Sequence, residues 1–159
     1  MKRIKGLLKI IFMLFIMWQS VFAVEKVGVK DFGYLSLPKG FKEVSDSVKV
    51  PIREIKYSDD ITNFTLITFY NDDYDLEIAT NSVYGAFQNI EVENIKKEEF
   101  KFKDKYESFK ITADYDNATQ VLIAYLFEAN NRIQLLILEG PREKLEENLK
   151  ILETYEEKI

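Results

Sequence analysis

The chain contains no cysteine and no histidine, and only three prolines, six glycines and one tryptophan in 159 residues. Without cysteine there is no disulfide, no thiol nucleophile and no thiolate ligand, and without histidine there is no imidazole base or metal ligand. The usual nucleophile-and-base triads are therefore excluded, and Ser82 and Ser108, which a lysine would have to activate, stand in no recognisable motif. The glycines are too few and too scattered to cradle a phosphate, which excludes a P-loop or a dinucleotide fingerprint. No motif calls for a cofactor. The three prolines, at 38, 51 and 141, form no linker. Because a domain ordinarily takes roughly 100–200 residues, the length predicts one.

What is present begins with an address. Lys2, Arg3, Lys5 and Lys9 lead into the nine-residue apolar run Ile10 to Trp18, followed by Gln19-Ser20-Val21-Phe22-Ala23. That order predicts a secretory signal peptide over residues 1–23, cut after Ala23, where Val21 and Ala23 set small side chains at the positions a signal peptidase reads. The apolar run is much shorter than the roughly 20 residues that span a bilayer. The alternative is an uncleaved helix that tethers the chain to a membrane. The expected mature domain is residues 24–159, with its core over about 31–157 and an exported address, periplasmic or secreted.

Cleavage removes four basic residues and no acidic ones, leaving 18 positive against 27 negative charges, a net of −9. Such a surface repels phosphate backbones and anionic headgroups, so the expectation is no nucleic-acid partner and no membrane partner after cleavage.

Residues 24–31 read as a frayed lead-in. Asp31 to Leu37 then carries apolar side chains into a stop at Pro38-Lys39-Gly40. Ile52 to Tyr57 and Ile61 to Tyr70 read as strands parted by Asp59-Asp60. Leu76, Ala79, Val83, Phe87 and Ile90 recur at spacings of three or four, which predicts a helix over 75–89 with all five on one face. Glu91 to Phe102 reads as a charged strand. Tyr106 to Asp116 alternates, with Phe109, Ile111, Ala113 and Tyr115 on a core face and the residues between them facing water. Thr119 to Ala129 and Arg132 to Glu139 are apolar almost throughout, and Asn130-Asn131 between them suits a tight hairpin. After Gly140-Pro141 the period changes, and Leu145, Leu149, Leu152 and Tyr155 outline an amphipathic C-terminal helix. The expected class is α+β: an antiparallel sheet of about six strands between an internal and a C-terminal helix, an α/β/α sandwich.

The segment Gly33-Tyr34-Leu35-Ser36-Leu37-Pro38-Lys39-Gly40-Phe41 resembles the strand, Pro, Gly, aromatic entry of the PsbP-like fold, which is shared with the Mog-type Ran-binding import factor. The ending resembles it too, through Arg132 to Gly140, a helix, and Ile151 to Tyr155. The resemblance implies a noncatalytic accessory or adaptor protein. It carries over no functional residue, because metal contacts proposed for the photosynthetic members involve histidine.

Three constellations remain. Asp72, Asp73 and Asp75, near Asp59-Asp60, could offer oxygens to Ca²⁺, but the glycine and terminal glutamate of the calcium loop are missing, and helix-capping aspartates explain the run as well. Glu54, Asp114 or Glu128 could in principle pair for acid–base hydrolysis, which makes a carboxylate-based envelope hydrolase the rival reading. Nine tyrosines and twelve phenylalanines are the least ordinary feature. Tyr57, Tyr70, Tyr84, Tyr106 and Tyr125 are the candidate binding face, since tyrosine contributes contact area together with a polar tip. The expected function is therefore an exported, noncatalytic accessory or adaptor protein that binds a protein or a cell-envelope component.

Overall fold

The computed structural model describes residues 24–70 and 74–157. The expected signal peptide, Asp72 and Asp73 lie outside them. Among these residues nine strands and two helices follow in order: β1 (Val24–Val29), β2 (Gly33–Pro38), β3 (Lys42–Lys49), β4 (Ile52–Ser58), β5 (Asn63–Phe69), α1 (Leu76–Gln88), β6 (Glu93–Phe102), β7 (Tyr106–Tyr115), β8 (Gln120–Ala129), β9 (Arg132–Pro141) and α2 (Leu145–Leu152). A short 3₁₀ turn, Arg142–Lys144, leads into α2. The class is α+β, with every strand pair antiparallel.

The main sheet has seven strands, in the order β3-β4-β5-β9-β8-β7-β6, and β1 and β2 form a separate hairpin. Three expectations are corrected here. The sheet exceeds six strands because Lys42 to Lys49, too polar to announce itself, pairs with β4. Residues 24–29 are a strand rather than a frayed lead-in, paired with β2 from Val24↔Pro38 to Val29↔Gly33. Finally, the layer over one sheet face is this hairpin together with the short α2, so a helix does not cover each face as in a simple α/β/α sandwich.

β8 and β9 are apolar on nearly every residue because both of their faces are covered. On one face the hairpin and α2 bury Phe32, Leu35, Leu37, Leu152 and Tyr155 against Phe64, Tyr125, Phe127 and Leu136. On the other, α1 sets Ala79 and Phe87 against Ile111, Ala124, Leu126, Ile133 and Leu135. Asp75 caps α1, its carboxylate accepting from the Ile78 N–H at 2.7 Å. The helix ends at Gln88, so Ile90, expected on its apolar face, lies beyond it and is exposed. β7 alternates as expected, but the face expected to meet water is covered over its first part. Ile111 and Ala113 face α1, whereas Tyr106 and Ser108 are buried toward the other layer, because that layer extends over the start of the strand.

The hairpin layer is locked by aromatic rings. Tyr155 packs edge-on against Phe32 and Phe127, with ring centroids 5.7 and 4.9 Å away, and Phe102 and Tyr106 each lie 5.9 Å from it. Gly33 permits this approach. Its φ is +119°, and a Cβ there would come within 2.6 Å of the Tyr155 ring and 2.7 Å of the Glu156 carbonyl.

Burial pushes the hydroxyls of Tyr57 and Tyr125 up to about 12, with Glu43 and Glu153 adding to it, and moves Tyr155 the same way. In the unfolded chain such a hydroxyl titrates at about 10. The native state thus holds more protons than the unfolded one between those values, so stability is fully present below about pH 10 and is lost as the pH rises through the native values. The urea midpoint is expected to hold steady up to about pH 9.5 and then fall toward pH 11.5. A flat midpoint across that interval would contradict the burial of these hydroxyls.

Candidate binding cleft

Two turns meet at one end of the sheet. The β8–β9 turn is Asn130-Asn131, with φ of 55° and 56°, the left-handed pair that a two-residue hairpin needs and that asparagine tolerates. The β1–β2 turn is Lys30-Asp31-Phe32. Phe32 is buried in the aromatic cluster, which leaves Lys30 and Asp31 pointing outward.

One buried side chain joins the turns. Gln134 is fully buried, and its amide nitrogen donates to the Asp31 carbonyl at 3.0 Å and to the Ala129 carbonyl at 3.1 Å. Its Oε1 accepts from the Thr68 hydroxyl at 2.8 Å. The amide therefore ties β5, β9 and both turns into one frame. A polar group buried this deeply persists because its hydrogen-bonding capacity is used.

Above this frame lies a cleft of about 730 Å³ lined by Lys30, Asp31, Tyr34, Asn130, Arg132 and Glu157, among others. Arg132 also walls a smaller cleft of about 280 Å³, together with Tyr74, Asp75 and Glu128. The Arg132 guanidinium sits 4.7 Å from the centre of the Tyr70 ring, and the Tyr70 hydroxyl donates to the Asp31 carboxylate at 3.2 Å. Burial and the Asp31 charge push the Tyr70 hydroxyl up, so it stays protonated and remains a donor at neutral pH. Glu157 accepts from Lys105 at 2.9 Å, and this ammonium holds its carboxyl below the usual range. The cleft thus presents a guanidinium on an aromatic platform, an ammonium, two side-chain amides and two carboxylates.

The five candidate tyrosines do not share a face. Tyr57, Tyr106 and Tyr125 are 5%, 8% and 5% exposed and belong to the interior beneath the hairpin layer. Tyr84 lies half-buried on α1, on the opposite side of the sheet, with Lys97 5.5 Å from its ring centre. Of the five, Tyr70 alone touches residues that line the cleft, Arg132 and Asp31. The hairpin β1–β2 covers the sheet face that carries Tyr57, Tyr106 and Tyr125, which is why these three are interior. The sequence carried a weak signal for Arg132 and Asn131, which flank a recognisable turn, and none for Gln134, which sits in an apolar strand.

The candidate carboxylates are also dispersed. Glu54 on β4 and Glu128 on β8 are three strand spacings apart, roughly 14 Å. Asp114 on β7 is held by Arg142 and, at 3.0 Å, by the Asn94 amide. Asp75 is engaged in capping α1, and among the described residues no three acidic side chains gather as a metal cage. Among the described residues no helix is long and apolar enough to cross a membrane. Neither a scan against protein-family models nor a search of the curated proteins finds a match.

Proposed function

We propose that the chain is an exported, noncatalytic accessory protein, and that it binds a segment of another protein or a cell-envelope component at the cleft between the two turns. The observation that carries this reading is Arg132 laid over Tyr70. A guanidinium stacked on a ring is already oriented, and arginine and tyrosine are the residues on which binding energy concentrates. Gln134 supports the reading, since a buried clamp holds both turns in place before any partner arrives and lowers the ordering cost of binding. The mixture of charges and amides suits a polar segment bearing an acid, which would pair with Arg132 and Lys30.

The hairpin over the sheet, left through the Pro38-Lys39-Gly40 turn and closed by α2, supports a place in the PsbP-like group, whose adaptor and accessory roles agree with this reading. The apolar run before Val24 supports export.

The test is affinity capture from envelope extract with the protein beginning at Val24, in parallel with Arg132→Ala and Tyr70→Ala. One saturable partner is expected, with binding weakened about tenfold in either variant, since a central arginine or tyrosine contributes more than 1 kcal/mol. Equal capture by all three proteins would remove the cleft as the site.

A further inference from the structure

The two outer strands of the main sheet are unlike each other. β6 carries Lys96-Lys97-Glu98-Glu99, and charge of this kind on an edge opposes further pairing. β3 is different: Val44 and Val48 are 56% and 64% exposed, and the residues from one to the other read Val44-Ser45-Asp46-Ser47-Val48, the same in both directions.

We infer that β3 pairs with β3 of a second copy of this chain, antiparallel about a two-fold axis through Asp46, so that the two sheets become one. In such a pairing opposed residues point to the same face, and residues of one strand share a face only when an even number apart, so the axis must pass through a residue rather than between two. Centring on Asp46 sets Val44 against Val48, Ser45 against Ser47, and Asp46 against itself. Moving the centre by one residue sets a valine against Asp46. The bulge in β3 is Val44 itself, which has no partner on β4, so strict alternation and the register with β4 run from Ser45 to Lys49 and the Val44 to Val48 contacts close the pairing at its bulged ends.

Two facing carboxylates would repel each other, yet each Asp46 is already engaged. Arg53 on the neighbouring strand donates to both of its oxygens, at 3.1 and 2.7 Å, and holds its carboxyl below the usual range. The axis would therefore pass through a cluster of two arginines and two aspartates that is neutral overall. β6 offers no five-residue palindrome centred on a residue to match Val44 to Val48. The surface is isologous, as a two-fold dimer requires, and it adjoins the cleft through Arg53, which also interacts with the Tyr70 hydroxyl.

The absence of cysteine makes the register directly measurable. In the full chain, Asp46→Cys places two sulfurs across the axis, where opposed Cα atoms in an antiparallel pair lie about 4.5–5.5 Å apart, within disulfide reach. Val48→Cys places its sulfurs four residues out of register, roughly 13 Å apart. Under mild oxidation Asp46→Cys should give a covalent dimer and Val48→Cys almost none. The unmodified protein should sediment as a concentration-dependent dimer that Val48→Lys shifts to monomer. A wild-type protein that sediments as a monomer at all concentrations would overturn the inference. So would equal cross-linking of the two cysteine variants, whether high or absent.

Discussion

Replacing Tyr155 by alanine is expected to destabilise the protein by about 4 kcal/mol and to lower its melting temperature by roughly 10–15 °C. The side chain is 1% exposed and packs against Phe32, Phe102, Tyr106 and Phe127, so its removal opens a ring-sized space that the rigid sheet cannot collapse into. A second loss is polar. The Tyr155 hydroxyl donates to the Phe32 carbonyl at 2.7 Å, and the other donor to that oxygen, the Asn130 amide, stands at 3.5 Å. Tyr155→Phe isolates this part and should cost about 1–2 kcal/mol. Urea unfolding of both variants separates packing from hydrogen bonding. If Tyr155→Ala lost less than about 1.5 kcal/mol, the hairpin layer would not be anchored by this ring. The effect is a large share of the total because domains are stable by only about 5–15 kcal/mol.

Gln134→Leu is expected to cost about 2–3 kcal/mol, although leucine is the more hydrophobic residue and the site is fully buried. The substitution leaves the buried Thr68 hydroxyl without its acceptor and removes the donor shared by the Asp31 and Ala129 carbonyls. Adding Thr68→Val should recover about 1 kcal/mol, because deleting both members of a buried pair is cheaper than deleting one. Strictly additive losses would mean that the two side chains do not act together. A folded Gln134→Leu protein should also capture its partner less well, since its two turns are no longer held by one amide.

Much of this architecture is legible in the sequence, and what is hidden has physical causes. The hairpin β8–β9 announces itself because an Asn-Asn pair interrupts two apolar runs, and α1 because Leu76, Ala79, Val83 and Phe87 keep a helical period. Lys42 to Lys49 does not announce itself: its exposed faces carry Lys, Glu, Ser and Asp, and pairing with β4 through the backbone makes it a strand. β1 is hidden for a related reason, since its first three residues are exposed and its strand character comes from β2. Once that hairpin covers the sheet, Tyr57, Tyr106 and Tyr125 become interior residues, so a binding face read from aromatic content gives way to packing. The cleft depends on contacts such as Gln134 to Asp31 and Tyr155 to Phe32, which join residues 103 and 123 positions apart. No local pattern encodes such pairs.

The central claim is that binding occurs at the end of the sheet where the two turns meet. It is tested most directly by placing a photo-cross-linking residue at Lys30, in the cleft, and separately at Glu143, an exposed position beyond the opposite end of β9. Irradiation in the native envelope, followed by mass spectrometry, should give one cross-linked partner from position 30 and none from position 143. The same products from both positions, or a partner from position 143 alone, would contradict the account.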